Sequence, residues 1–182
     1  MKRYIAAILV FALVVLLVKV GVDRTAKKSS KSVRLECHKK STVFEHVYDQ
    51  ALIKEVQRAL QKGEFELLSH AKKAQYMKSK LFEYVEMKEV DAMLVNALAA
   101  YKDPQAQSTT PVTIDYFVYE NDKDDPGKKT KESKRYAGYL HFKVLVGKER
   151  IYVIQIDFMD LQGKDIPEKV ECAVQSLMTA SS

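Results

Sequence analysis

The chain is short of the residues that announce chemistry. It has two cysteines, four histidines and no tryptophan in 182 residues. Cys37 and Cys172 stand far apart, so there is neither a CxxC redox pair nor the close Cys/His spacing of a zinc module. His38, His46, His70 and His141 share no HxxxH or HExxH spacing. The six glycines build no GxGxxG, no P-loop and no GxSxG. Cys37 and His38 are neighbours, and on a strand they would point to opposite faces. These absences leave no motif on which an enzymatic activity or a cofactor can rest, and neither is expected.

One cluster imitates a metal loop. Asp122, Asp124 and Asp125 precede Gly127, as in a calcium site. Pro126 then stands at the fifth position, and Ser133 stands where the bidentate glutamate belongs. A solvated loop is the simpler reading. Positive charge is also missing where a polyanion would need it. Seven Lys or Arg and one Asp lie in residues 1–32, which accounts for the whole net charge of +6. The remaining 150 residues balance at 23 of each sign. They show no basic face with interleaved stacking aromatics, so nucleic acid is not an expected partner.

What the chain does have is an apolar run at its start. Residues 4–18 carry no charge, Pro or Gly, with Lys2 and Arg3 before them and Lys19, Arg24, Lys27, Lys28 and Lys31 after. If Lys19 snorkels, residues 4–22 give about 28 Å of helix, which matches a hydrocarbon core of about 30 Å. A cleaved signal peptide is the rival reading. The small residues of a cleavage site do not follow, and no Cys stands close enough for a lipoprotein signal. Residues 1–22 are therefore read as a membrane anchor and 23–32 as a basic linker that could touch anionic headgroups. Orientation has two signals. The charge count favours a cytoplasmic domain, whereas a three-residue MKR tail before an apolar run is the usual form of a bacterial export signal. The expectation is a single-pass protein of the bacterial inner membrane with a periplasmic domain.

Residues 33–182 are enough for one domain with a core. Residues 33–38 alternate as a short edge strand. Thr42 and Glu45 have capping-box spacing. The stripe Phe44, Val47, Tyr48, Ala51, Leu52, Val56, Ala59 and Leu60 predicts a helix that stops at Gly63. Ser69 stands where it would cap a second helix through AKKAQYMKSKLFEYVEMK, one bent helix with the next stripe or a separate one, although LFEYV (81–85) also fits a strand. Val90, Met93, Leu94, Ala97, Leu98 and Tyr101 form a third, ended by Asp103-Pro104. The period then changes to two. Residues 112–120, 136–146 and 151–159 read as half-buried strands, the last two joined by a hairpin at Gly147–Arg150. A helix closes the chain, with Asp165 and Glu168 at cap spacing and Pro167 in its first turn.

The expected fold is α+β: an N-terminal transmembrane helix, then helices packed on a three-stranded antiparallel meander, with a C-terminal helix. This order resembles the plan of the cystatin-like and NTF2-like folds, and of membrane-anchored components of bacterial secretion machines. The likeness is one of plan, without a shared motif, and fold likeness does not give function. Leu140, Phe142, Ile154, Ile156 and Leu94 are the expected core. Phe117, Tyr119, Tyr139, Leu145, Val153 and Met159 would fall on the other face of the sheet, which is apolar for a solvated surface. Cys37 and Cys172 are either a disulfide joining the two ends of the domain or two buried thiols.

Two functions fit. One is a membrane-anchored extracytoplasmic interaction or assembly module, binding another protein or a second copy through a sheet face or a helix. The alternative is a carrier or sensor that holds a small apolar ligand in a helix–sheet cleft.

Overall fold

The structure, a computed structural model, describes residues 34–181. Five strands form one mixed sheet: β1 (Val43–Val47), β2 (Glu66–Lys72), β3 (Val112–Glu120), β4 (Gly138–Val146) and β5 (Glu149–Phe158), in the order β1-β5-β4-β3-β2. Four helices accompany them: α1 (Ile53–Lys62), α2 (Leu81–Tyr84), α3 (Met87–Ala99) and α4 (Ile166–Thr179). The α+β class is as expected. The sheet is not the three-stranded meander of the sequence reading. The three period-two strands are its centre, paired antiparallel in chain order. β1 adds antiparallel to β5 at one edge, and β2 adds parallel to β3 at the other. That parallel pair, with α2 and α3 in the crossover, departs from an antiparallel meander plan.

The helices cover one face of the sheet. Ile114, Tyr116, Val118, Leu140, Phe142, Val144, Tyr152, Ile154 and Ile156 point into a single buried cluster. It also takes Val56 and Leu60 of α1, Leu94 and Leu98 of α3, and Val170 and Val174 of α4. All five expected core residues are among those buried. Polar groups inside this layer find distant partners. The Tyr116 hydroxyl donates to Asp91 on α3 at 2.6 Å, and the Tyr152 hydroxyl donates to Glu45 on β1 at 2.7 Å. Burial holds both phenols well above their ordinary range, with the neighbouring carboxylates adding to the shift. Gln57 of α1 donates to the carbonyls of Leu177 and Ala180, satisfying groups that the end of α4 leaves open.

Several local expectations are corrected. The helix predicted from Thr42 begins only at Ile53, because residues 43–47 are strand β1. Asp49, not Thr42, receives the amides ahead of α1, from Ala51 and Leu52 at 2.8 and 2.9 Å. Gly63 does end the helix, in the left-handed conformation (φ 83°) that suits glycine at this position. The second predicted helix is absent: residues 66–72 are β2, and only Leu81–Tyr84 turn helical. The predicted edge strand at 33–38 is instead, from Glu36 to Lys40, a 3-10 turn. Asp165 stands at the N-cap position of α4 as expected, but its side chain does not bond the helix; its carboxylate receives the amides of Met159 and Asp160.

The acidic loop is not simply solvated. Asp122 is buried and accepts the backbone amides of Gln75, Tyr76 and Met77 at 2.5, 2.6 and 3.2 Å. Burial pushes its carboxyl up, but these amides and that of Asp124 outweigh burial and hold it below the usual range. Glu120 accepts those of Ala74 and Lys80. Two carboxylates thus pin a segment with no regular structure. At Gly138 a Cβ would lie 2.1 Å from the Tyr119 carbonyl oxygen and 2.3 Å from the Phe158 ring, so only glycine fits there.

Among the described residues no helix is long and apolar enough to cross a membrane. The apolar run and the basic linker lie outside those residues.

Candidate functional site

No helix of the described residues packs on the second face of the sheet. Strand register sets its side chains in cross-strand rows. One row runs His70, Phe117, His141, Gln155, Phe44 across β2, β3, β4, β5 and β1. A second runs Leu68, Asp115, Lys143, Val153, His46, and a third Lys72, Tyr119, Tyr139, Asp157. These rows interleave aromatic, basic and histidine side chains with the aliphatic Leu68 and Val153, Gln155 and two carboxylates.

The centre of the face is a packed aromatic cluster. Phe117 stacks on His141 with centroids 4.9 Å apart and meets Tyr139 edge-on at 5.9 Å. Tyr139 lies 4.6 Å from Tyr119. The Lys72 ammonium sits 3.7 Å over the Phe117 ring, a geometry in which the ring quadrupole attracts the cation. Lys128, from the β3–β4 loop, reaches the Tyr119 hydroxyl at 3.2 Å and also bonds Asn121. Burial and the neighbouring Tyr119 push the Tyr139 phenol up to about 12. Burial, then Lys143 and Lys72, lower His141 below the ordinary imidazole value. Asp115 joins Lys143 at 3.1 Å and His70 at 3.5 Å. Burial raises the Asp157 carboxyl, against hydrogen bonds from Gln155 and Thr42.

Of the residues expected on this face, Phe117 is buried beneath its neighbours, and Tyr119, Tyr139, Leu145 and Val153 are half-buried on it. Met159 is exposed one residue past the end of β5, in the turn before α4. The sequence reading missed the most exposed apolar members. Phe44 is 63 % exposed, Tyr48 47 % and Leu68 41 %. In the sequence the first two fit a helix stripe, and Leu68 falls on no expected surface. Their alternation with Val43, Glu45, Val47 and with Leu67, Ser69, Ala71 carried the strand signal. Arg150 lies 4.2 Å over the Tyr48 ring, and His46 meets it edge-on at 4.3 Å. Phe44 and Tyr48 therefore stand on the same edge of the face as a cationic group.

The helix–sheet layer beneath is filled. A void of only about 10 Å³ remains among Leu94, Leu98, Ile114, Phe142, Tyr152 and Leu177. A cleft of about 670 Å³ does open between Met77–Tyr84, Asn121–Lys123 and Leu161–Lys164. Its lining has no cysteine, histidine or serine, and its Glu120 is committed to backbone amides.

A second cluster lies at the junction of the 3-10 turn and α4. Cys37 and Cys172 are joined as a disulfide, with Cα atoms 5.9 Å apart across 135 residues of sequence. His38 is buried beside them, its Nε2 2.5 Å from Ser176 Oγ. Burial lowers its pKa, Glu45 opposes the shift and Arg34 adds to it. The turn at Glu36–Lys40 places Cys37 and His38 toward the same helix, so the opposite-face argument made for a strand does not hold here. Among the described residues these three are the one group of metal-ligand types drawn together, with ligand atoms within 4.8 Å of one another.

Comparison with protein-family models, with curated proteins and with solved structures finds no match to this chain.

Proposed function

We propose that this chain is a single-span, membrane-anchored protein of the bacterial inner membrane, with its domain in the periplasm, that binds another protein through the open face of its sheet. The observation that carries the reading is the exposure of Phe44, Tyr48 and Leu68 on a face whose centre is already an ordered aromatic and basic cluster. Exposed aromatics set beside Arg are the composition of interface hot spots. The apolar run at residues 4–22 supplies the anchor in this reading. The Cys37–Cys172 disulfide suits an oxidising compartment. The carrier alternative needs room between helices and sheet, and the void of about 10 Å³ there favours the protein-binding reading over it.

The test is a double variant, Phe44→Glu with Leu68→Glu, in the tagged full-length protein purified from membranes. Both positions are exposed, so each change should alter stability by no more than about 0.5 kcal/mol. The variant should stay with the membrane through high-salt washing and keep its melting temperature. It should lose the protein, or the second copy of itself, that the parent retains. A folded variant that keeps its partner would place binding elsewhere.

A further inference from the structure

We propose that Cys37, Cys172 and His38, once the disulfide is reduced, form a site for a soft divalent cation such as Zn²⁺. The site lies on the helical side of the sheet, between the 3-10 turn and α4, and needs no partner protein, so it is independent of the sheet-face reading.

Three observations carry it. The ligand atoms of the three residues lie within 4.8 Å of one another. Cys172 and His38 are 2 % and 4 % exposed, so two of the three ligands sit where water competes little. The groups around them are polar and already oriented. Ser176 Oγ holds the His38 ring at 2.5 Å, and Gln175 Oε1 lies 3.8 Å from Cys37 Sγ. Such outer contacts fix the ring of a ligating histidine.

The chemistry balances. A dithiol supplies two electrons and two protons, whereas a phosphine supplies the two electrons and water supplies the two protons and the oxygen of the phosphine oxide; either way the disulfide becomes two thiols. Cation binding then releases those two protons, because the ligands are thiolates. Zinc bonds to sulfur at about 2.3 Å, so two thiolates in a tetrahedral site stand about 3.8 Å apart. Cα atoms 5.9 Å apart allow that separation through side-chain rotation, without moving α4. Three protein ligands leave a fourth position for water or for Gln175, the arrangement of an open rather than a closed zinc site.

The test uses the full-length chain, reduced with a phosphine, desalted anaerobically and titrated with Co²⁺ as the probe. Reduced protein should bind one equivalent and show thiolate-to-cobalt charge transfer, which Zn²⁺ then abolishes. Oxidised protein should show none. His38→Ala should bind at least as weakly as proteins that lose an outer-shell partner, about 10–100-fold below the parent. Far-UV circular dichroism monitors the fold throughout. A reduced, folded chain without the charge-transfer band overturns the proposal. So does a His38→Ala variant that binds as tightly as the parent, or a chain that unfolds on reduction and is not refolded by the metal.

Discussion

Reduction of the Cys37–Cys172 bond should lower the melting temperature by roughly 10–15 °C. The bond closes a loop across 135 residues of sequence. For a loop of that size the chain-entropy model gives up to about 5 kcal/mol, because the unfolded chain loses freedom the folded one never had. The bond ties the first described segment to the last helix. Few other contacts hold that segment: Lys40 meets Glu168 at 3.7 Å on the surface, and His38 meets Ser176. The Cys37→Ser/Cys172→Ser variant should match the reduced parent, measured by calorimetry without metal. Equal melting temperatures for oxidised and reduced parent would mean that the bond constrains little.

Truncating Phe142 should have the second large effect. It lies on the covered face of β4, 4 % exposed, stacked on Tyr116 at 5.2 Å and lining the residual void with Leu94 and Ile154. The layer around it has little slack, so its neighbours cannot close over the lost ring. Phe142→Ala should cost about 3–5 kcal/mol, from lost burial plus a cavity. Urea denaturation should show a lower midpoint with the slope retained. A midpoint equal to the parent's would mean that the faces of the sheet had been assigned backwards.

The parts of this fold legible in the sequence are those whose polar pattern agrees with their burial. In β3, β4 and β5 apolar residues occupy nearly every covered position, and alternation reveals them. β1 and β2 hide because each places a polar residue on the covered side. Glu45 is there to receive the Tyr152 hydroxyl, and Ser69 to meet Asp91 at 3.3 Å. Neither partner is local, so a window of ten residues sees an irregular pattern and reads Phe44, Val47 and Tyr48 as helical. The segment around Tyr76 was misread for the same reason. It is shaped by Glu120 and Asp122, more than forty residues away, and not by its own periodicity. On the candidate face, β3, β4 and β5 carry residues that the sequence names, whereas the two exposed edges belong to the hidden strands β1 and β2.

The Cys37–His38–Cys172 cluster shows a further limit. The spacing of its members carries no signal, since a turn and a helix at opposite ends of the domain bring them together.

The open sheet face can be tested directly by placing a photo-crosslinking amino acid at position 44 or 68, and at exposed Lys88 on α3 as the control. Irradiation of membranes carrying the full-length protein should give a crosslinked adduct from positions 44 and 68 and none from 88. Adducts from position 88 alone would put the partner on the helical side and contradict the account.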